Sequence, residues 1–195
     1  MDRLQPLTLV LIAINVLVFV VLGQTDGTSR LNPLALWPLG SGFFRVWQPL
    51  TSAFLHGNGT HIFFNMFGLF MFGRDVERAL GRPLFLTLYF AAALSASATQ
   101  LAVWWLAGDV AAMEVGASGA LFGVMLAYAW LFPRQKLILL FPPIPIPAWL
   151  FVTGYAAIEL ASGVFGWQVG VAHFAHLGGL AGAAAVLALR RASTV

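Results

Sequence analysis

Apolar runs close to the length of a bilayer crossing recur along the chain, and the charged residues fall in the short connections between them. A water-soluble fold of 195 residues cannot hide this in one core, because 60% of the residues are hydrophobic and only 9% are charged, with mean hydropathy +0.87. The natural solvent is a lipid bilayer, and the expected fold class is an all-α membrane protein with one polytopic membrane domain over residues 1–195. Six transmembrane helices are predicted: Leu7–Leu22, His61–Phe72, Leu84–Ala107, Ser118–Phe132, Ala148–Phe165 and Val169–Leu189. With no cysteine, disulfides, thiol catalysis and zinc–thiolate sites are excluded. The sequence pI near 10 does not point to nucleic acid, because the basic residues form no stripe with interleaved aromatics.

The basic residues read instead as topology signals. With the N-terminus inside, Arg3, the group Arg74, Arg78 and Arg82, the pair Arg134 and Lys136, and the pair Arg190 and Arg191 all fall on the cytoplasmic side, so both termini are cytoplasmic. Arg30 and Arg45 fall outside, in a long first loop where the positive-inside bias is more easily overridden. Arg3 is the only positive flank of the first run and no Ala-x-Ala site follows, so that run is expected to be retained rather than cleaved. Trp104 and Trp105 close the third span at the outer interface, and FPPIPIP at 141–147 cannot be helical and is expected at the inner one. No internal repeat is found.

Under this topology spans two, four and six all descend from outside to inside. Measured up from their inner ends, His61, Ser118 and His176 stand at one height, each roughly 20 Å along its helix. In a hydrocarbon core about 30 Å thick, that height is on the order of 10 Å below the outer surface. Asn65 shares a face with His61, one turn further on.

A polar cluster at that depth is expensive and has the contents for acyl transfer. Serine becomes a nucleophile when a base takes its proton, and histidine is the side chain best suited to that near neutrality, which makes Ser118 and His176 the candidate pair. His61, Asn65 and the Ser118 backbone N–H are candidate donors to an oxyanion. Gly116 and Gly119 bracket Ser118, permitting a tight entry turn and close approach of a substrate backbone. Phe122 lies one turn below and can pack against the His176 ring.

These residues resemble the signature of the rhomboid family of intramembrane serine proteases: GASG at Gly116–Gly119, AHLGGLAG at Ala175–Gly182, and HGNGTHIFFN at His56–Asn65, preceded by a tryptophan in WQPLTSAFLH at Trp47–His56. GASG alone would be weak; the three motifs in this order on alternate spans are specific. The resemblance covers roughly Trp47 to Gly182 and implies a rhomboid-like six-helix bundle of the bacterial type, in the bacterial inner membrane. It implies Ser118 as nucleophile, His176 as general base and acid, His61 and Asn65 as oxyanion stabilisers, and Trp47 in a membrane-embedded first loop. It also implies substrates that are single-span membrane proteins, entering laterally past span five with Trp149, Tyr155 and Phe165 as gate candidates. The sequence departs from the family pattern at Gln48, where many members carry arginine, and at Phe122, where some carry tyrosine.

Other readings of the same residues remain to be weighed. Ser118 between glycines, with Gly119 and Gly123 in GxxxG spacing, is also a small-residue helix contact, and Gly178, Gly179 and Gly182 read as packing glycines bringing span six onto span four. His173-x-x-His176 has metal-ligand spacing, but no carboxylate or thiol stands beside it in sequence, so no metal and no organic cofactor is expected. His173 is expected at the mouth of the site and His56 as a hydrogen-bonding residue of an external loop. Glu159, the acid well inside a span, can be imagined orienting His176 as a third triad member; the resemblance implies a dyad, so it is expected to be paired or to face a wet cavity. Asn15 and Gln100 are expected to bond between helices. Two other function classes fit the composition: a pseudoprotease that binds membrane segments without cutting, and a small transporter using the histidines. Since a substrate helix hides its carbonyls in its own hydrogen bonds, a protease of this kind favours segments weakened by Gly or Pro.

Overall fold

The structure, a computed structural model, describes residues 6–23, 32–139, 142–167 and 170–192. Arg3, Arg30, Phe141 and Val169, all used in the sequence reading, lie outside the described residues. Helix α1 (Pro6–Leu22) opens on a proline, whose missing N–H is no loss in a first turn. The free N–H groups that follow are capped from a distant helix. Leu7 and Thr8 donate to the two carboxylate oxygens of buried Glu77 at 3.1 and 2.8 Å, and the Thr8 hydroxyl donates at 2.8 Å.

After a loop come α2 (Gln48–Thr51) and a 3₁₀ turn at Ser52–Phe54. Helix α3 (Gly59–Gly68) is capped by Asn58, whose side chain accepts from the His61 N–H at 2.8 Å. A π-helical turn at Leu69–Gly73 leads without a break into α4 (Arg74–Leu80), so the second predicted span is one helix from Gly59 to Leu80, longer than the expected segment. Glycines flank that turn because neighbours press on it: a carbon added at Gly68 would meet Leu121 at 2.9 Å, and one at Gly73 would meet Thr8 at 2.9 Å. Helix α5 (Arg82–Ala107) stops at Gly108, which takes the left-handed conformation at φ +69°.

Helix α6 (Ser118–Leu131), α7 (Ala148–Phe165) and α8 (His173–Ala192) complete the bundle. Between α6 and α7 the otherwise helical chain forms a short hairpin that was not expected. Lys136–Ile138 (β1) pairs antiparallel with Pro145–Pro147 (β2), the end of the proline-rich stretch. Alternating prolines leave Ile146 to donate, which suits a strand with only one partner. The sixth helix also starts later than predicted, at His173, after Gly170 at φ +91°.

The centre is a close-packed trio of α5, α6 and α8. Gly119 and Gly123 face Ala96 and Ala92 of α5, Gly179 lies on the Gly119 carbonyl, and Gly178 and Gly182 lie against Thr99 and Ser95. These pairings make α6 and α8 parallel and α5 antiparallel to both. Only Gly179 of the three α8 glycines meets α6, where the sequence reading expected all three; Gly178 and Gly182 are one turn apart and so share the face toward α5. At the far end Phe72 packs on Tyr128 with centroids 5.1 Å apart, so the Gly59–Leu80 helix runs parallel to α6 as well.

Two helices, Arg82–Ala107 and Ala148–Phe165, are long and apolar enough on their own to cross a membrane, and Pro6–Leu22 and Ser118–Leu131 are shorter apolar helices. Large apolar side chains face outward all around, among them Val20, Phe63, Leu106, Phe165 and Leu189. Trp104 is buried while Trp105 faces outward; Asn15 donates to the Leu11 carbonyl of its own helix at 2.8 Å; and Gln100 Oε1 is buried with no donor among the described residues.

Candidate active site

Ser118 is the first residue of α6, so its backbone N–H has no helical partner and points out of the helix start. Gly116, at φ +139°, makes the entry turn, and its N–H donates to the Ser52 carbonyl at 3.0 Å, tying the turn to the segment before α3. The His176 ring comes from α8. Its Nε2 lies 2.8 Å from Ser118 Oγ, across a helix contact that Gly119 and Gly179 permit. Phe122 stacks on the imidazole with centroids 4.3 Å apart and planes 7° apart, which holds the ring in the plane of that bond.

His61 enters from α3. Its Nδ1 accepts from the Gly57 N–H at 3.3 Å, so the ring proton belongs on Nε2. That nitrogen is aimed at the serine turn: a carbon built on Gly116 would sit 2.8 Å from His61 Nε2 and 3.6 Å from Ser118 Oγ. A side chain at Gly116 is therefore excluded twice, by φ and by His61. Asn65 is buried, and its Nδ2 has no acceptor among the described residues, leaving an amide donor free for a ligand. His56, in the loop before α3, is 1% exposed and edge-on to His61 with centroids 5.1 Å apart. Burial, and next the nearby His61, lower its pKa to about 4.

Glu159 is paired, one of the arrangements its place in the sequence left open, and His173 sits away from the position expected for it. Glu159, on α7, puts one oxygen, Oε2, 2.9 Å from His176 Nδ1 and 2.6 Å from His173 Nδ1. His173 is not at the mouth: it is 6% exposed, and its Nε2 donates to the Trp167 carbonyl at 3.0 Å. Glu159 thus supplies in space the carboxylate that sequence spacing withholds from the two histidines. One ligand atom from each of Glu159, His173 and His176 lies within 4.8 Å of the others. The 2.6 Å separation fits a proton rather than two ligands of one ion, which at metal–ligand lengths of about 2.0–2.2 Å stand further apart. The signal in the sequence was a lone intramembrane acid preceding a His-x-x-His.

The first loop is organised by Gln48. Fully buried, it donates to the Phe43 carbonyl at 2.9 Å and the Pro33 carbonyl at 3.3 Å and accepts from Trp37 N at 3.3 Å. Trp47, half exposed, donates from its indole to the Pro33 carbonyl at 2.9 Å. Of the gate candidates, Trp149 and Phe165 are exposed on α7, and Tyr155 packs on Phe122 with centroids 5.0 Å apart.

The Rhomboid domain family matches residues 44–193. The chain belongs to the rhomboid family. Rhomboid relatives include Rhomboid protein 1, mitochondrial, of Saccharomyces cerevisiae, 36% identical over 129 residues that make up 66% of this chain and 37% of that protein. Rhomboid protease GlpG of Enterobacter sp. is 28% identical over 184 residues, 92% of this chain and 61% of its own length. Rhomboid protease AarA of Providencia stuartii is 30% identical over 139 residues, 62% of this chain and 48% of its own. The chain therefore spans between about one third and two thirds of these rhomboid relatives' lengths, and the match takes in every residue of the Ser118 cluster.

Proposed function

We propose that this chain is an intramembrane serine endopeptidase that cuts transmembrane segments of other membrane proteins. The observation that carries the reading is the 2.8 Å contact between Ser118 Oγ and His176 Nε2 at a helix start. His176 takes the hydroxyl proton as Ser118 Oγ bonds to the scissile carbonyl carbon, then gives it to the leaving amine as the C–N bond breaks; water repeats the cycle to release the acyl group. The oxyanion is met by the Ser118 N–H, His61 Nε2–H and Asn65 Nδ2. Gly116 and Gly119 shape the turn and Phe122 holds the base. The chemistry calls for no metal and no organic cofactor.

The six helical segments cross the bilayer in this reading, with both termini cytoplasmic in a bacterial inner membrane; the outward apolar faces are the lipid contact. Ser118 lies below the outer surface, so water reaches it from that side. Substrates are membrane proteins with spans weakened by Gly or Pro, admitted past α7 at Trp149, Tyr155 and Phe165. α7 is the looser of the two long apolar helices, 22% buried against 44% for α5, which favours that side for entry.

Support comes also from relatives named as rhomboid proteases, GlpG and AarA. The test is fluorophosphonate labelling and cleavage of a transmembrane reporter by purified protein. Wild type is expected to label and to cut; Ser118→Ala is expected to do neither while eluting as folded protein. Cleavage persisting in Ser118→Ala would end the peptidase reading, and a wild type inert to the label would favour a binding-only relative.

A further inference from the structure

Resting on that peptidase reading, we propose that Glu159 and His173 act together as a positioning unit for His176, sharing one buried proton that keeps the carboxylate neutralised and the His176 tautomer fixed. A dyad leaves the second nitrogen of its histidine undirected. Here every ring nitrogen of His173 and His176 has a partner, and the partners dictate where the protons are.

The Trp167 carbonyl can only accept, so His173 Nε2 carries a proton. His176 Nε2 must accept from Ser118, so the His176 proton is on Nδ1 and is donated to Glu159 Oε2 at 2.9 Å. The remaining contact, His173 Nδ1 to the same oxygen at 2.6 Å, would set two lone pairs against each other if it held no proton. One proton therefore lies in that bond, and whichever atom it sits nearer, Glu159 and His173 are neutral as a pair. Neutrality suits their burial: both side chains are 6% exposed. A lone carboxylate at this depth would be costly.

The arrangement serves the cycle without entering it. When Ser118 Oγ bonds to the substrate carbonyl carbon, its proton passes to His176 Nε2, and the new imidazolium faces Glu159. The shared proton can then move toward His173, concentrating negative charge on Oε2 next to that cation. It moves back when His176 delivers its proton to the leaving amine, so the pair neither gains nor loses a proton over a turnover. His176 is held through three contacts: the Glu159 bond, the Ser118 bond and the Phe122 stack.

The experiment compares wild type, Ser118→Ala, Glu159→Gln, His173→Asn and the double variant of the last two, as full-length protein with a transmembrane reporter, resolving kcat from KM. Glutamine keeps the size of Glu159 but cannot accept from both rings through a shared proton. Glu159→Gln is expected to lower kcat by roughly a hundredfold or more with KM changed by less than about twofold, and the double variant is expected to lose no more than Glu159→Gln alone. Glu159→Gln at the wild-type kcat, or losses that multiply in the double variant, would overturn the unit. Inactive Ser118→Ala in the same series keeps the peptidase reading intact, whereas an active Ser118→Ala removes that reading itself. Should Glu159→Gln fail to fold, ¹⁵N NMR of histidine-labelled wild type decides. A proton on His176 Nδ1 and two-nitrogen donor character at His173 support the unit; a His176 proton on Nε2 refutes it.

Discussion

His56 is buried edge-on against His61, in the loop before α3. Its pKa stands at about 4 instead of 6.5, because burial and next the neighbouring His61 disfavour the cation. Between those values the unfolded chain binds a proton that the folded chain refuses, so this contribution to stability is whole above 6.5 and drains away as pH falls toward 4. His56→Phe keeps a ring against His61 and removes the titration. The apparent Tm of His56→Phe relative to wild type is expected to rise on acidification across that window, by several degrees in detergent; a difference that stays flat with pH would contradict the assignment. The contrast with Glu159 shows what residue spacing can reveal. Distance along parallel helices gave the common height of Ser118, His61 and His176, because height needs only rise per residue. Glu159 was recognisable as an intramembrane acid with His176 as a conceivable partner, but its second partner, His173, depends on how α7 and α8 rotate toward each other, and no spacing rule carries that rotation.

Helix α8 brings its histidines to the serine only because backbone replaces side chain along its inner faces. A carbon on Gly179 would fall onto the Gly119 carbonyl, one on Gly123 would meet the Ala92 side chain, and no flexible group is there to move. Gly179→Ala must push α8 off α6, at a cost of about 1–3 kcal/mol from overpacking. The displacement acts directly on the 2.8 Å Ser118–His176 bond, so the expected result is a lower apparent Tm together with a kcat loss larger than the Tm loss explains. Gly154→Ala is the matched control: α7 has nothing within 4 Å of that position, and alanine there should leave both quantities unchanged or slightly raise Tm. Equal behaviour of the two variants in thermal unfolding and reporter assays would mean that the seam does not set the site. The glycines were legible as packing residues, and the trio of parallel and antiparallel helices followed from the topology. Which neighbour each glycine faces was not, since 178, 179 and 182 divide between α5 and α6 by angle. The β1–β2 hairpin was equally hidden: prolines exclude helix, and their alternation with isoleucine allows a strand only once a partner is known.

At the scale of the whole molecule, the internal directions of the helices and the charges at their ends make one argument. α6, α8 and the Gly59–Leu80 helix run parallel, starting at the serine cluster and ending near Arg134, Arg190 and Arg78. Glu77, at the end of one of them, caps the start of α1, so the N-terminus of α1 lies on that same basic side. Basic residues that follow three separate helices thus gather at the end where α1 starts, and in the proposed orientation the positive-inside rule turns that end toward the cytoplasm. The opposite end then holds the α5–α6 connection, the side from which the proposed mechanism draws water to Ser118. The chain contains no cysteine, so single cysteines can be introduced as reporters without removing any native one. Ala111→Cys, exposed in the α5–α6 connection, is expected to react with a membrane-impermeant maleimide added outside intact cells or spheroplasts, whereas Lys136→Cys, exposed in β1, should react only after permeabilisation. Labelling of both from the same side would place an even number of crossings where α6 makes one, and would break the link between charge, helix direction and the side from which water reaches the site.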